Sequence, residues 1–244
     1  MKTIKKLYRY QYPGESVVVG LTHSDQHWTT DLEWIPNAVF NNKTTSQAIV
    51  IGNGESRLGF DLNLIKNHKG GLLAKNKLQT YGCNALYRDF ESDFLVAIGD
   101  GIVKELAEND YTNAHIVYTS AVNVVEYPKQ FYLVPQDPSW NSGAIAAYLA
   151  CFDGHKKVFL LGHDGFDDPG TNNVYLGTNG YPTEENIQSE EFWAATMLKV
   201  MQTYSEVEFV RVMPTVGWHA PESWKACTNF RQVDFYGFSL EADI

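Results

Sequence analysis

From Ala48 onward, short apolar runs alternate with stretches whose apolar residues recur at helical spacing. The runs predict strands at Ala48–Ile51, Leu78–Tyr81, Phe94–Ile98, His115–Thr119, Phe131–Val134, Lys157–Leu161 and Glu208–Val212. Helices are predicted at Ser142–Phe152 and Ile187–Tyr204, the second with Trp193, Met197, Val200 and Tyr204 as its core stripe. Leu58, Leu62 and Ile65, at i, i+4 and i+7, predict a further helix after the first strand. Strands alternating with helices in this way imply an α/β fold: a doubly wound, Rossmann-like, mostly parallel sheet with helices on both faces.

The two ends of the chain break this rhythm. Residues 1–47 hold one plausible strand, Ser16–Gly20, and then polar sequence dotted with aromatics, which predicts an N-terminal β-rich extension. Residues 48–212 form the predicted nucleotide-binding domain. Residues 213–244 carry Trp224, Phe230, Phe235, Tyr236 and Phe238 and predict a segment packed on that domain or on a partner subunit of a homo-oligomer.

Charge narrows the partners. With 19 Lys and Arg against 29 Asp and Glu, the net charge of −10 argues against a general nucleic-acid binder, which needs a positive surface. No apolar run reaches the roughly 18 residues that span a bilayer, and Met1–Lys6 leads into polar sequence rather than a signal core, so a cytoplasmic protein is expected. Cys83, Cys151 and Cys227 are odd in number and far apart, as free core thiols are.

In a parallel sheet the C-terminal strand ends open on one edge, and four of them carry polar residues. These ends are Gly52-Asn53-Gly54, Gly82-Cys83-Asn84, Gly99-Asp100-Gly101 and Gly162-His163-Asp164. The glycines at 52 and 54 let a backbone approach a ligand, and Ser56 can cap the next helix. Ser142 and Gly143 add a helix N-terminus whose free N–H groups suit a phosphate. Gly52, Gly54 and Gly59 match neither common phosphate-loop spacing. Asp100 and Asp164 are oxygen ligands of the kind Mg²⁺ takes at a phosphate, and equally residues that bond their own turns. His163 reads either as a base at a strand end or as a hydrogen-bonding residue. His23 and His27 have the i, i+4 spacing of a metal pair, but without the glutamate of a zinc-protease motif they read as a polar loop.

In order, Ile-Gly-Asn-Gly-x-Ser, Gly-Cys-Asn-Ala-Leu-Tyr, Ser-Gly-x-x-Ala-x-x-Leu-Ala and Val-Phe-Leu-Leu-Gly-His-Asp-Gly-Phe resemble the bacterial sialyltransferases of the Campylobacter type. They are also similar to a wider superfamily that includes the 6-hydroxymethylpterin pyrophosphokinase-like proteins. The resemblance covers about residues 48–212. It implies a nucleotide-dependent, glycosyltransferase-like enzyme using a nucleotide sugar, CMP-linked in the sialyltransferases, and a glycan or small-molecule acceptor. It further implies that Asn53, Gly54 and Ser56 meet the donor phosphate and ribose, that Asn84 meets the nucleotide or sugar, and that Ser142 and Gly143 take phosphate or base. Tyr175 and Tyr181 match the tyrosines that assist phosphate departure, a task an uncharged phenol can perform. Two departures stand out. Thr183–Asn186 lacks the family's basic histidine, leaving Glu184 or Glu185 as base or as the acidic first turn of a helix, and Glu55 replaces the usual proline. The pyrophosphokinase relatives imply an Mg²⁺-dependent alternative on Asp100 and Asp164. The missing histidine also leaves room for a non-catalytic binding or assembly protein, for instance phage-derived, that kept the fold.

Overall fold

A computed structural model describes residues 4–12, 15–24, 27–36, 45–68, 78–134, 140–164, 173–181, 190–215 and 220–244. Glu184 and Glu185 lie outside the described residues.

The N-terminal extension is a three-stranded antiparallel meander of β1 (Ile4–Tyr12), β2 (Glu15–Ser24) and β3 (His27–Pro36). β2 holds the expected Ser16–Gly20 run, whose consecutive valines suit a strand. His23 and His27 do not share a helix: His27 pairs with Ser24 and His23 with Trp28 on neighbouring strands.

The rest of the chain builds an eight-stranded parallel sheet. Its strands are β4 (Gln47–Ile51), β5 (Gln79–Cys83), β6 (Phe94–Val96), β7 (Ile116–Thr119), β8 (Tyr132–Leu133), β9 (Lys157–Leu161), β10 (Glu208–Met213) and β11 (Phe230–Asp234). Their order across the sheet is β11-β10-β9-β4-β5-β6-β7-β8. The helices are α1 (Leu62–His68), α2 (Asp100–Glu108), α3 (Ala121–Glu126), α4 (Ser142–Phe152), α5 (Glu190–Thr203), α6 (Glu222–Lys225) and α7 (Phe235–Ala242).

Successive strand residues feed opposite cores, which is why β4 is apolar throughout rather than alternating. Ala48 and Val50 pack with α4 and α5 on one face, while Ile49 and Ile51 join Ile65 of α1, Val103 of α2 and Phe238 of α7 on the other. The doubly wound α/β reading is therefore the observed architecture.

Three helical and terminal expectations shift. Leu58 does not extend the stripe of α1: it sits two-thirds exposed in a 3-10 turn over Glu55–Gly59, and Phe60 takes the buried place. On α5 the buried stripe is Ala194, Met197, Val200 and Met201, with Trp193 at its exposed margin. The C-terminal segment does more than pack, because β11 adds a strand to the sheet beside β10.

A four-member charge network ties the far edge together. Lys157 of β9 meets Glu208 of β10 at 3.2 Å and Glu241 of α7 at 3.1 Å, and Arg231 of β11 meets the same two carboxylates at 2.7 and 2.6 Å.

Candidate functional site

The sheet starts in its middle. The chain lays β4, winds outward to β8, then returns to set β9 against the other side of β4. The direction of winding reverses between β4 and β9, the place in an open parallel sheet where ligands commonly bind beyond the strand C-termini.

The two turns at this point are bonded to each other. Gly52 N–H donates to Leu161 O at 2.7 Å and Gly54 N–H to Gly162 O at 2.9 Å. Ser56 donates to Asp164 through its N–H at 3.0 Å and through its hydroxyl. Contact is close enough to require glycine: a Cβ at position 52 would lie 2.4 Å from Gly162 O, and one at 54 would lie 2.4 Å from Asp164 Cγ. Gly162 itself has φ of +69°, open to glycine at no cost.

This corrects the role expected of Gly52, Gly54 and Ser56. The donors a phosphate would need are spent inside the protein, and the Asp164 carboxylate occupies the anion's position over the turn. The Leu161 and Gly162 carbonyls take the Gly52 and Gly54 N–H groups and the Asp164 carboxylate takes that of Ser56, at no cost of binding from solution.

Asn53, by contrast, points into the site. It is buried, its Nδ2 donates to Tyr181 OH at 3.0 Å, and its Oδ1 has no partner among the described residues. Its carbonyl accepts from Val174 N–H at 2.9 Å, which draws the 173–181 segment over the sheet edge. Asn84 also hydrogen-bonds Tyr181, and its Oδ1 accepts from Ser142 Oγ at 2.9 Å and Ile98 N at 3.3 Å. To do so Asn84 adopts a φ of 46°, a region asparagine tolerates better than most side chains. Asn53, Asn84, Ser142, Gly143 and Tyr181 thus come together from separate strand ends, α4 and the crossing segment.

Ser142 and Gly143 open α4, an 11-residue helix. Its N-cap is Asn141, whose Oδ1 accepts from Ala144 N–H at 2.9 Å and whose amide also donates to Thr196 of α5. Nothing in sequence spacing ties Asn141 to residue 196, but an Asn before an apolar helical run is a readable cap signal.

Tyr175 and Tyr181 have different surroundings, although their rings are 6.0 Å apart. The Tyr175 hydroxyl donates to Asp89 at 2.6 Å and accepts from Arg57 at 2.9 Å, and Arg57 also pairs with Asp89 at 3.0 Å. Tyr175 is therefore committed to an internal clasp. Burial pushes Tyr181 up to about 12 and raises Tyr175 as well, so both are neutral phenols at neutral pH. A second clasp holds the segment: Arg88 pairs with Glu105 of α2 at 2.6 Å and donates to Thr178 Oγ1 at 2.8 Å and Asn179 O at 3.0 Å.

The expected metal pair is not assembled. Asp100 is exposed at the start of α2, Asp164 is held by Ser56, and no group of three or more His, Cys, Asp or Glu side chains converges among the described residues. Cys83 is buried beneath Asn84, and burial pushes its thiol up to about 12, which removes the thiolate a nucleophile needs.

His163 is held at the heart of the switch point. Burial, and then the charge of Arg211, press its pKa down to about 4, leaving a neutral imidazole. Arg211 of β10 is fully buried; its Nε donates to His163 O at 2.8 Å and its guanidinium to Gln232 of β11 at 2.7 Å. The C-terminal strand thereby supports the β9 turn, a link that sequence reasoning missed because Arg211 and Gln232 look like ordinary surface residues.

The chain gives no match when compared with protein-family models, with curated proteins or with solved structures.

Proposed function

We propose that this protein is a nucleotide-dependent transferase of glycosyltransferase type, binding a nucleotide-linked sugar beyond the strand C-termini near the switch point of β4 and β9. The observation that carries this reading is the convergence of Asn53, Asn84, Ser142 and Tyr181 at the one place where an open parallel sheet leaves room for a ligand.

The phosphate takes the first turn of α4, where the helix dipole and the N–H groups of Ser142 and Gly143 favour an anion. The Gly52–Ser56 turn cannot serve it while Asp164 is seated there. The amides of Asn53 and Asn84 fix the Tyr181 oxygen, so its neutral hydroxyl is positioned to donate to the departing phosphate oxygen. Catalysis on this plan is positioning and electrostatics, and Glu184 or Glu185, in the stretch where the sialyltransferases carry their basic histidine, is the candidate for taking the acceptor proton.

A melting-temperature screen with CMP-, UDP- and GDP-sugars and ATP tests the reading. Ligand at a hundredfold excess over Kd stabilises by about 2.7 kcal/mol, so one nucleotide class is expected to raise the melting temperature by several degrees, and Ser142→Pro is expected to abolish that rise. A folded protein that no nucleotide stabilises would refute it.

A further inference from the structure

We propose that Asn179, in the segment that crosses the sheet edge, is a site of spontaneous deamidation, and that its conversion to a carboxylate releases the clasp holding that segment to α2. The chain has two Asn-Gly pairs, Asn53-Gly54 and Asn179-Gly180. Asparagine is a thermolabile residue, and a following glycine, with no Cβ, leaves its own nitrogen open to attack the asparagine amide. The fold puts the two pairs in opposite states.

Asn53 is protected. Its side chain is buried, its amide is bonded to Tyr181, and the Gly54 N–H that would have to attack donates to Gly162 O at 2.9 Å. Asn179 and Gly180 are exposed, the central residues of a turn that Tyr181 N–H closes by donating to Thr178 O at 2.9 Å. Among the described residues the Gly180 N–H makes no hydrogen bond, and the facing Gly101 has no side chain to cover it: a Cβ there would stand 3.8 Å from that nitrogen. Position 180 also requires glycine, because its φ is +77° and a Cβ on it would lie 2.7 Å from Ile102 Cδ1. The demands of the turn therefore keep the reactive pair in place.

The step needs only water. The Gly180 nitrogen gives up its proton to solvent and attacks Asn179 Cγ, forming an N–Cγ bond that closes a five-membered succinimide. The Cγ–Nδ2 bond breaks with its electron pair on nitrogen, which takes up a proton and leaves as ammonia. Water then adds to one of the two ring carbonyls and that carbon's bond to the ring nitrogen breaks, giving aspartate or isoaspartate.

The amide that is lost belongs to the clasp. Asn179 Nδ2 donates to Glu105 of α2, whose carboxylate also accepts from Arg88 at 2.9 and 2.6 Å, and Arg88 donates in turn to Asn179 O. Deamidation removes a donor and sets a second carboxylate against Glu105. Isoaspartate further adds a methylene to the main chain of a turn whose bonds, Tyr181 N–H to Thr178 O and Gly177 N–H to Tyr181 O, hold Tyr181 in place. The reaction itself is independent of the transferase reading.

The full chain, aged at mildly alkaline pH and digested, is read by peptide mass spectrometry with chromatographic separation of aspartate and isoaspartate. In the folded protein Asn179 is expected to convert at least about tenfold faster than Asn53, which reacts only after a local opening frees Gly54 N–H. In urea the two rates are expected to come together, and Asn179→Gln is expected to remove the modification. Comparable rates in the folded protein, or an Asn179 that reacts in urea but not in the fold, would overturn the site. Amide hydrogen exchange tests the consequence: Asn179→Asp is expected to speed exchange in peptides covering 173–181 by about three- to tenfold over wild type. Unchanged exchange would overturn release of the clasp. Neither readout uses a nucleotide, so a failed ligand screen touches the transferase reading alone.

Discussion

Replacing Asp164 with alanine should uncover the anion site that the carboxylate now fills. The side chain accepts two hydrogen bonds from Ser56, one at 3.0 Å from the backbone N–H and one from the hydroxyl. Hydrogen bonds to a charged acceptor contribute about 1.5–3 kcal/mol each. Because both come from one residue at a half-buried site, a net loss of about 2–3 kcal/mol is expected for Asp164→Ala. For a chain of this length that corresponds to about 2–4 °C per kcal/mol, a fall of roughly 5–10 °C in melting temperature. The informative measurement is the response to inorganic phosphate. In the variant, Ser56 N–H and hydroxyl are released at a turn where a Cβ on Gly54 would have met Asp164 Cγ at 2.4 Å, so there is space as well as donors for an anion. Phosphate should restore stability to the variant while raising the wild-type protein far less. Calorimetric melting of both proteins across a phosphate series reads this directly. Equal responses would show that the turn has no anion place, and a loss below about 0.5 kcal/mol, the scale of an ordinary surface substitution, would show that the Ser56 bonds contribute nothing.

Three further outcomes are expected. Tyr81→Phe removes a fully buried hydroxyl that meets Asp153 at 2.8 Å and His155 at 3.1 Å, pinning the end of α4 to β5, and urea denaturation should show a loss of about 1–3 kcal/mol with ligand binding unchanged. Arg231 first, and Lys157 as well, hold the Glu241 carboxyl down to about 2, so its network contributes stability that is fully present above the ordinary carboxylate value of 4.5 and is lost as pH falls through about 2. The stability difference between the wild type and Glu241→Gln, about 1 kcal/mol at pH 6, should therefore shrink steadily in denaturation curves taken from pH 5 to pH 2. Tyr175→Phe should lower the melting temperature by breaking the Arg57 and Asp89 clasp, whereas Tyr181→Phe should lower it through the lost Asn53 and Asn84 bonds and in addition reduce kcat with the donor found by screening by about a hundredfold.

The central strands were legible because their residues are apolar on both faces. Lys157–Leu161 and Ser142–Phe152 fall within the bounds read from sequence, since a run buried on both sides and an Asn-capped helix carry their own signals. β11 was not legible: Phe230-Arg231-Gln232-Val233-Asp234 is half-exposed at the sheet edge and reads as polar chain, so only its pairing with β10 makes it a strand. Of the candidate site, the polar strand ends were visible, and so was the helix start at Ser142. The roles within it were not, because Ser56 meets Asp164 across 108 residues and His163 meets Arg211 across 48.

By itself the sequence determined an alternating α/β chain, strands buried on both faces, and a set of Gly-Asn and Gly-His-Asp turns on one edge of a sheet. Local propensity and the periods of helix and strand suffice for that, since they act within a few residues. Only the tertiary structure decided that β9 returns to lie against β4, which is a choice of neighbours made by the packing of both faces at once. That choice turns the Gly52–Ser56 loop from an open phosphate cradle into one already holding Asp164. It also leaves buried atoms such as Asn53 Oδ1, Arg57 Nε and His163 Nε2 without partners among the described residues, because hydrogen-bond saturation is a property of which chains meet in space.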